Sequence, residues 1–236
     1  MSVEQHAAWA RDRVTRILAA GVRERLVAVI VTSLDGAMAV DGRSRNLSSD
    51  QDRALVGAWR EAADALLVGV PTLMAEVYGG GLFDPAARAR RSARGAPPTP
   101  PVITIDRSAS LDVDHAMRAK EPLKLVAYVP QTATSNDQRA VWVPRTDLTL
   151  SSVVADARQR FGHELIVAEP GPTLLRALRE QRLLTDLSWT MAPLLTDHGP
   201  RTPEVRSAPP MRAVDVEVRE GVIFLHLQPT RGRDAD

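Results

Sequence analysis

The segment Glu169-Pro170-Gly171-Pro172-Thr173 has the residue types and spacing of a site for an anionic ligand. The apolar run Leu165–Ala168 before it predicts a strand, and a proline at the first helical position predicts a helix over residues 172–181. The strand would deliver Glu169 at its carboxyl end, where the first helical turn offers backbone N–H groups and the positive end of the helix dipole. A pyrophosphate suits such a site, although an ordinary strand-to-helix turn uses the same residues. Pro170 has no N–H to donate, which leaves three residues for that contact: Gly171, Thr173 and Leu174.

A second candidate group follows the apolar stretch Leu26–Thr32, which predicts a strand buried on both faces. The stretch ends in Ser33-Leu34-Asp35-Gly36, where aspartate and glycine supply turn chemistry. Ligands of open α/β sheets lie beyond the carboxyl ends of such strands. Asp35 is therefore either a residue that caps the turn or an acid that positions a substrate and relays a proton.

Arg60 is the third candidate, on a helix that the sequence predicts over residues 49–63. The carboxylate of Asp64 stands four residues on, and an exposed helical ion pair of this spacing is worth about 0.3–0.5 kcal/mol. Arg60 also lies one turn from Val56, beside the apolar stripe of the helix. A guanidinium that faces a pocket from this position suits bidentate binding of a phosphate. The sequence leaves both interpretations open.

The composition excludes several classes of protein and site. Of the 236 residues, 44% are hydrophobic and 25% are charged, and the net charge is +1, which gives no indication of a nucleic-acid partner. The chain contains no cysteine, which excludes disulfides and Cys-based zinc sites, and its five histidines lack metal-ligand spacing. No apolar run has the length of a membrane span or the pattern of a signal peptide. We expect a cytoplasmic protein without a metal and without a membrane or nucleic-acid partner.

The positioning elements are strands that alternate with helices along most of the chain. The last two strands flank Arg219-Glu220-Gly221 and predict an antiparallel hairpin. This order predicts an α/β fold with a mixed, mostly parallel sheet, helices on both faces and the hairpin at one edge. Residues 3–20 predict an amphipathic N-terminal helix. The basic and proline-rich stretch 88–101 predicts an extended surface connection whose charges are solvated.

Several segments, in this order, resemble the reductase domain of riboflavin biosynthesis, which has a dihydrofolate reductase-like three-layer fold. They are Thr32-Ser33-Leu34-Asp35-Gly36, Gly42-Arg43-Ser44, residues 60–64, Leu67-Val68-Gly69-Val70-Pro71-Thr72 and Glu169-Pro170-Gly171-Pro172-Thr173-Leu174-Leu175. The resemblance divides the chain into a helical extension (1–23), the reductase domain (24–228) and a disordered tail (229–236). It implies a homodimer that uses NADPH to reduce a ribosylamino-pyrimidine phosphate or a related pterin-like substrate. The signature of the zinc deaminase to which this domain is often fused is absent, so we expect a stand-alone reductase.

The resemblance also implies roles for individual residues. The catalytic residues would be Asp35 and Glu169, and the substrate-binding residues would be Ser44, Arg60 and Glu169. Arg107 and Ser108, at the end of a predicted strand, suit the 2′-phosphate of NADPH. The cofactor-binding residues would be Thr32, Asn46, Gly69, Thr72, Glu76, Arg107, Ser108, Gly171, Pro172, Thr173 and Leu174. Two other functions stay open: an NADPH reductase of another small metabolite, such as dihydrofolate, and a catalytically silent protein that binds a nucleotide or a protein partner.

Overall fold

A nine-stranded mixed sheet organises the part of the chain that the computed structural model describes, residues 2–19, 23–75, 83–116, 124–133, 137–204 and 209–230. The strands are β1 (Arg25–Thr32), β2 (Ala65–Val68), β3 (Val102–Ile105), β4 (Leu125–Pro130), β5 (Ala140–Arg145), β6 (Leu165–Glu169), β7 (Asp186–Met191), β8 (Met211–Arg219) and β9 (Val222–Pro229). Their spatial order is β5-β4-β3-β2-β6-β1-β7-β9-β8. In this spatial order, the first seven strands, β5 through β7, run parallel to one another, and β9 runs antiparallel to both β7 and β8.

The chain crosses over where β6 enters the sheet between β1 and β2. In the register of these strands, Ala28 of β1 pairs with Ala168 of β6, and Leu67 of β2 pairs with Ala168 from the other side. The carboxyl ends of three strands that are far apart in sequence therefore lie side by side. A crossover of this kind opens a crevice in which α/β proteins bind ligands.

Helices cover both faces of the sheet. They are α1 (Val3–Leu18), α2 (Asp50–Ala62), α3 (Val70–Ala75), α4 (Pro85–Ala93), α5 (Val113–Ala116), α6 (Leu150–Phe161) and α7 (Pro172–Glu180). Alternate residues of β1 enter two separate cores, with Val27 beside residues of α1 and α2, and Ala28 beside residues of α6 and α7. The predicted architecture, a mixed and mostly parallel sheet with helices on both faces and a C-terminal antiparallel hairpin, is confirmed.

The N-terminal helix α1 packs against the β8–β9 hairpin. The Trp9 ring meets the Phe224 ring edge to face at 5.0 Å. Arg13 is buried and donates to Glu217 Oε2 at 2.8 Å and to the Phe224 carbonyl at 3.2 Å. A buried guanidinium is tolerated only when it is paired and hydrogen-bonded, so these contacts fix α1 on the sheet. Among the described residues, no helix is both long enough and apolar enough to cross a membrane.

The basic stretch differs from its prediction, because residues 85–93 form helix α4. Asp84 caps this helix by accepting a hydrogen bond from Ala87 N at 2.6 Å. The Arg91 side chain is buried rather than solvated, and it donates to the carbonyls of Glu61 (2.6 Å) and Ala63 (2.7 Å) at the end of α2. The last carbonyls of a helix lack intrahelical donors, and Arg91 satisfies two of them. Burial lowers the pKa of Arg91 to about 10, so the group stays charged at neutral pH.

Part of the predicted disordered tail belongs to the sheet. Pro229 is the last residue of β9 and pairs with Met211 of β8, because the hairpin continues beyond the alternating residues that indicated it. Residues 231–236 of that tail lie outside the described residues.

Candidate active site

A cavity of about 960 Å³ opens at the carboxyl ends of β1, β2, β3 and β6. One wall is the face of α2 that carries Asp52, Val56 and Arg60, and the opposite wall is formed by the segments that follow β2, β3 and β6. The cavity therefore lies at the crossover of the sheet. Of the predicted site residues, those that line it are Ser44, Arg60, Gly69, Thr72, Arg107, Ser108, Glu169, Gly171, Pro172, Thr173 and Leu174.

Arg60 and Glu169 form a bidentate ion pair across the cavity wall. Arg60 Nε lies 2.6 Å from Glu169 Oε1, and Nη2 lies 2.6 Å from Oε2. Their side chains are only 20% and 11% exposed, so water screens the pair much less than it screens a surface pair. Two of the three predicted substrate-binding residues are therefore each other's partner and form one polar unit between α2 and the end of β6.

The alternative pairing of Arg60 with Asp64 is absent for a local reason. Helix α2 ends at Ala62, and Ala63 is extended (φ −60°, ψ 144°), so Asp64 leaves the helical face on which Arg60 lies. The Asp64 carboxylate instead accepts hydrogen bonds from the backbone N–H groups of residues 164 and 165, at 3.0 and 2.8 Å. Asp64 thereby fixes the start of β6, and Arg60 is directed to the cavity.

The start of α7 is built for close approach of a ligand. Gly171 is the N-cap, and no side chain caps the first turn. A Cβ atom at Gly171 would lie 3.2 Å from Thr72 Oγ1, so glycine keeps the space between this turn and α3 open. Pro172 occupies the first helical position, where its missing N–H costs nothing. The backbone N–H groups of Thr173 and Leu174, the Thr72 hydroxyl and the positive end of the helix dipole converge here.

The loop after β3 forms another part of the cavity wall. Arg107 is exposed and donates from Nη2 to the Leu148 carbonyl at 3.0 Å, and the Ser108 hydroxyl donates to Asp106 Oδ1 at 3.2 Å. Asp106 is buried and also accepts a hydrogen bond from Leu111 N at 2.8 Å. The buried carboxylate holds the loop in place, and the loop presents a cation and a hydroxyl to the cavity.

Asp35 does not line the cavity. Its carboxylate accepts hydrogen bonds from the Ser33 hydroxyl (2.6 Å) and from Thr196 N (3.0 Å), and it pairs with Arg201 at 3.0 Å. The hydrogen bonds from Ser33 and Thr196, with the contribution of Arg201, lower the pKa of Asp35 to about 2. A carboxyl with this pKa holds no proton to donate at neutral pH. The geometry favours the turn-capping role, in which Asp35 fastens the loop after β7 to the turn after β1.

Two further predicted cofactor residues, Thr32 and Asn46, do not line the cavity. Thr32 is fully buried, and its hydroxyl accepts a hydrogen bond from Trp189 Nε1 at 2.9 Å. Asn46 is exposed in a short 3₁₀ turn and donates to the Val40 carbonyl at 3.0 Å. Glu76 lies outside the described residues.

The sequence analysis missed Asp52. Its side chain is 1% exposed and belongs to the cavity wall, and the Ser48 hydroxyl donates to Asp52 Oδ2 at 2.5 Å. Burial raises the pKa of Asp52, although hydrogen bonds from Ser48 and Thr190 oppose the shift. The sequence does contain a signal for Asp52: residues 52, 56 and 60 have the four-residue spacing of one helical face, so Asp52 is expected on the same face as Arg60. The described residues hold no cluster of His, Cys, Asp or Glu suited to a metal ion.

Comparison with known proteins identifies the family. The sequence matches the RibD C-terminal domain over residues 25–219. A pyrimidine reductase-like protein from Corynebacterium diphtheriae has a TM-score of 0.75 and 20% identity, over 89% of this chain and 93% of that one. The riboflavin biosynthesis reductase Rib7 of Saccharomyces cerevisiae has a TM-score of 0.65 and 15% identity, over 89% and 91%. No curated protein matches the chain in sequence.

A bifunctional protein from Thermotoga maritima, a diaminohydroxyphosphoribosylaminopyrimidine deaminase/5-amino-6-(5-phosphoribosylamino)uracil reductase, has a TM-score of 0.72 and 16% identity. The similarity covers 88% of this chain but 57% of that protein. At these identities the structural matches show a shared fold, whereas the sequence match extends over most of the chain. The protein therefore belongs to the RibD C-terminal domain family, the reductase family that its motifs resemble.

Proposed function

We propose that this protein is an NADPH-dependent reductase that transfers a hydride to a ribosylamino-pyrimidine phosphate or a related pterin-like substrate. The observation that carries the proposal is that two chemically different sets of residues line the same cavity. One set is the α7 N-terminus and the loop after β3, which suit a dinucleotide. The other presents the Arg60–Glu169 pair and Ser44, which suit a polar substrate. The names of the relatives, two of which are reductases, support this assignment.

The residues on the dinucleotide side fit NADPH. The space left by Gly171, the Thr72 hydroxyl and the N–H groups of Thr173 and Leu174 would hold the pyrophosphate. Arg107 and the neighbouring Ser108 hydroxyl would hold the 2′-phosphate. When bound, NADPH supplies the hydride. The protein's contribution is to bind the two molecules in a fixed relative orientation, which by itself removes a large part of the activation barrier.

The Arg60–Glu169 pair suits a sugar phosphate because it offers a donor and an acceptor side by side. Its guanidinium donors can be shared between the carboxylate and a phosphate or a hydroxyl of the substrate. The planar fork of arginine recognises such groups with a geometry that lysine cannot reproduce. We assign substrate binding to this pair and to Ser44.

The proposal is tested by NADPH oxidation with the ribosylamino-pyrimidine phosphate and dihydrofolate in parallel assays. We expect turnover of the former at about 1 s⁻¹ or faster. Turnover of dihydrofolate alone would show a reductase with another substrate. NADPH binding without turnover of either compound would show a silent nucleotide-binding protein, and each of these two results contradicts the proposal.

We also propose that the enzyme is a homodimer that forms through the outer face of the β8–β9 hairpin. Val214, Val216 and Val218 are 43%, 59% and 64% exposed on one face of β8, and the half-buried Leu225 of β9 continues that face. An apolar patch of this kind is typical of an interface between protein copies. We expect a dimer mass at micromolar concentration and a monomer for Val216→Asp; a monomeric wild type would refute the proposal.

A further inference from the structure

We propose that Asp52 and Ser48 form a proton relay that protonates the substrate when it is reduced. This inference rests on the proposed function, since it assigns the source of the proton in that reaction. Asp35, the acid indicated by the sequence, lies outside the cavity wall and is held as a carboxylate by its partners. The reaction therefore needs another proton donor within reach of the cavity.

The geometry places Asp52 behind Ser48 at the cavity wall. Both residues line the cavity, but the Asp52 side chain is almost fully buried and Ser48 is half-buried. The two side-chain oxygens, Asp52 Oδ2 and Ser48 Oγ, lie 2.5 Å apart. Asp52 Oδ1 is buried and has no hydrogen bond within the normal distance and angle limits to any described residue. An ionised carboxylate with one such oxygen would be costly in this environment, whereas a neutral acid is tolerated.

The surrounding charges oppose the effect of burial on Asp52 only in part. The charged groups that act on it are Arg53 and Arg60 of α2, and the neighbouring strand β7 contributes the Thr190 hydroxyl. Arg53 is already paired with Asp50, and Arg60 is paired with Glu169. Both cations are therefore largely neutralised by other carboxylates. Burial then dominates and raises the pKa of Asp52 above its ordinary value of 3.8.

The relay balances the reduction of a C=N or C=O bond by a reduced nicotinamide cofactor. The carbon of that bond gains a hydride, which carries both electrons, and its heteroatom must gain a proton. The Ser48 hydroxyl, which donates to Asp52 Oδ2 in the structure, turns to the heteroatom and gives it a proton while Ser48 Oγ receives the proton of Asp52. Asp52 is left as a carboxylate, which takes up a proton from solvent before the next turnover.

The test compares Asp52→Asn with Asp12→Asn, which removes an exposed carboxylate of α1 that does not line the cavity. Proton transfer by a positioned side chain contributes roughly 100-fold or more to the rate. We expect Asp52→Asn to lose at least this factor in kcat while its affinity for NADPH is unchanged, and Asp12→Asn to behave as wild type. Ser48→Ala should resemble Asp52→Asn, and Ser48→Thr, which keeps the hydroxyl, should recover much of the rate.

A second readout uses the stability of these proteins without substrate or cofactor. A carboxyl whose pKa is raised on folding takes up a proton, so its contribution is favourable at low pH and is lost as the pH rises above 3.8. The wild type should therefore lose stability relative to Asp52→Asn as the pH is raised from 4 to 8, and its stability relative to Asp12→Asn should not change in this way. Wild-type kcat in Asp52→Asn, or parallel stability curves, would overturn the relay. Failure of the proposed function would appear separately, as a wild type that does not oxidise NADPH.

Discussion

The Arg60–Glu169 pair allows a quantitative test of how the cavity wall is built, through Arg60→Met, Glu169→Gln and the double variant. Each single variant leaves one largely buried charge without its bidentate partner. Breaking a fully buried pair in this way costs about 3–5 kcal/mol, and exposed pairs contribute about 1 kcal/mol or less. With 20% and 11% exposure, we expect a loss of about 2–3 kcal/mol in the free energy of unfolding for each single variant.

The double variant gives the interaction free energy between Arg60 and Glu169 separately from the contacts that each makes with other residues. It leaves no unpaired charge, so its loss of stability should be smaller than the sum of the two single losses by about 1 kcal/mol or more. Urea unfolding measures these free energies, and for a chain of this size a loss of 2–3 kcal/mol corresponds to a decrease of about 4–12 °C in Tm. Asp50→Asn, which breaks an exposed pair, serves as the control and should change stability by less than about 0.5 kcal/mol.

The same variants report on substrate binding. We expect Arg60→Met to raise KM for a phosphorylated substrate by roughly 10- to 100-fold, which corresponds to the ~1.5–3 kcal/mol of a hydrogen bond to a charged group. Affinity for NADPH should be nearly unchanged, and Arg60→Lys should restore KM only partly. Single variants that stay within 0.5 kcal/mol of wild type, additive losses in the double variant, or an unchanged KM would refute the reasoning.

Three further predictions follow from other parts of the structure. NADPH at a hundredfold excess over its Kd should stabilise the protein by about 2.7 kcal/mol, NADH should do so far less, and Arg107→Ala should remove the difference in thermal shift. Burial alone would raise the pKa of Asp186, but hydrogen bonds from its neighbours and the charge of Arg25 lower it below 3.8, so this stabilisation is lost as the pH falls below that value. Asp186→Asn should therefore destabilise the protein strongly at pH 7 and much less at pH 3 in urea titrations. Arg91→Ala removes the donor of the buried Ala63 carbonyl, at a cost of about 1–3 kcal/mol, and one of the two arginines that donate to the Glu61 carbonyl. It should lower Tm more than Arg90→Ala, which breaks a partly exposed pair with Glu61.

Much of the fold could be predicted from the sequence because its signals are local. Continuous apolar runs indicated the buried parallel strands, and the alternation in Val214–Val218 and Val222–Leu227 indicated the antiparallel hairpin. Ser49 was expected near the start of α2, and its side chain accepts a hydrogen bond from Asp52 N at 3.1 Å. These features depend on residues that are close in sequence, so the periodicity of apolar residues and the residue type at the helix start are enough to predict them.

The contacts that define the candidate site were harder to predict because their partners are distant in sequence. Arg60 and Glu169 are 109 residues apart, and the nearer carboxylate at Asp64 offered a helical spacing that the end of α2 does not allow. Arg91 looked like one charge in a solvated basic run, but it reaches carbonyls about 30 residues away. Composition alone cannot distinguish a solvated arginine from one that ends a helix.

Helix α2 explains why these separate contacts act together on the cavity. Ser49 caps its first turn, and Arg91 donates hydrogen bonds to its last carbonyls. Both ends of the helix are therefore fixed by residues outside the cavity lining. Between them, one face presents Asp52 and Arg60 two turns apart. Burial raises the pKa of the first, and the guanidinium of the second pairs with Glu169 at the end of β6. A single rigid helix thus provides an acid and a cation about 12 Å apart along its axis, a separation suited to a substrate that carries its reducible bond and its phosphate at different ends.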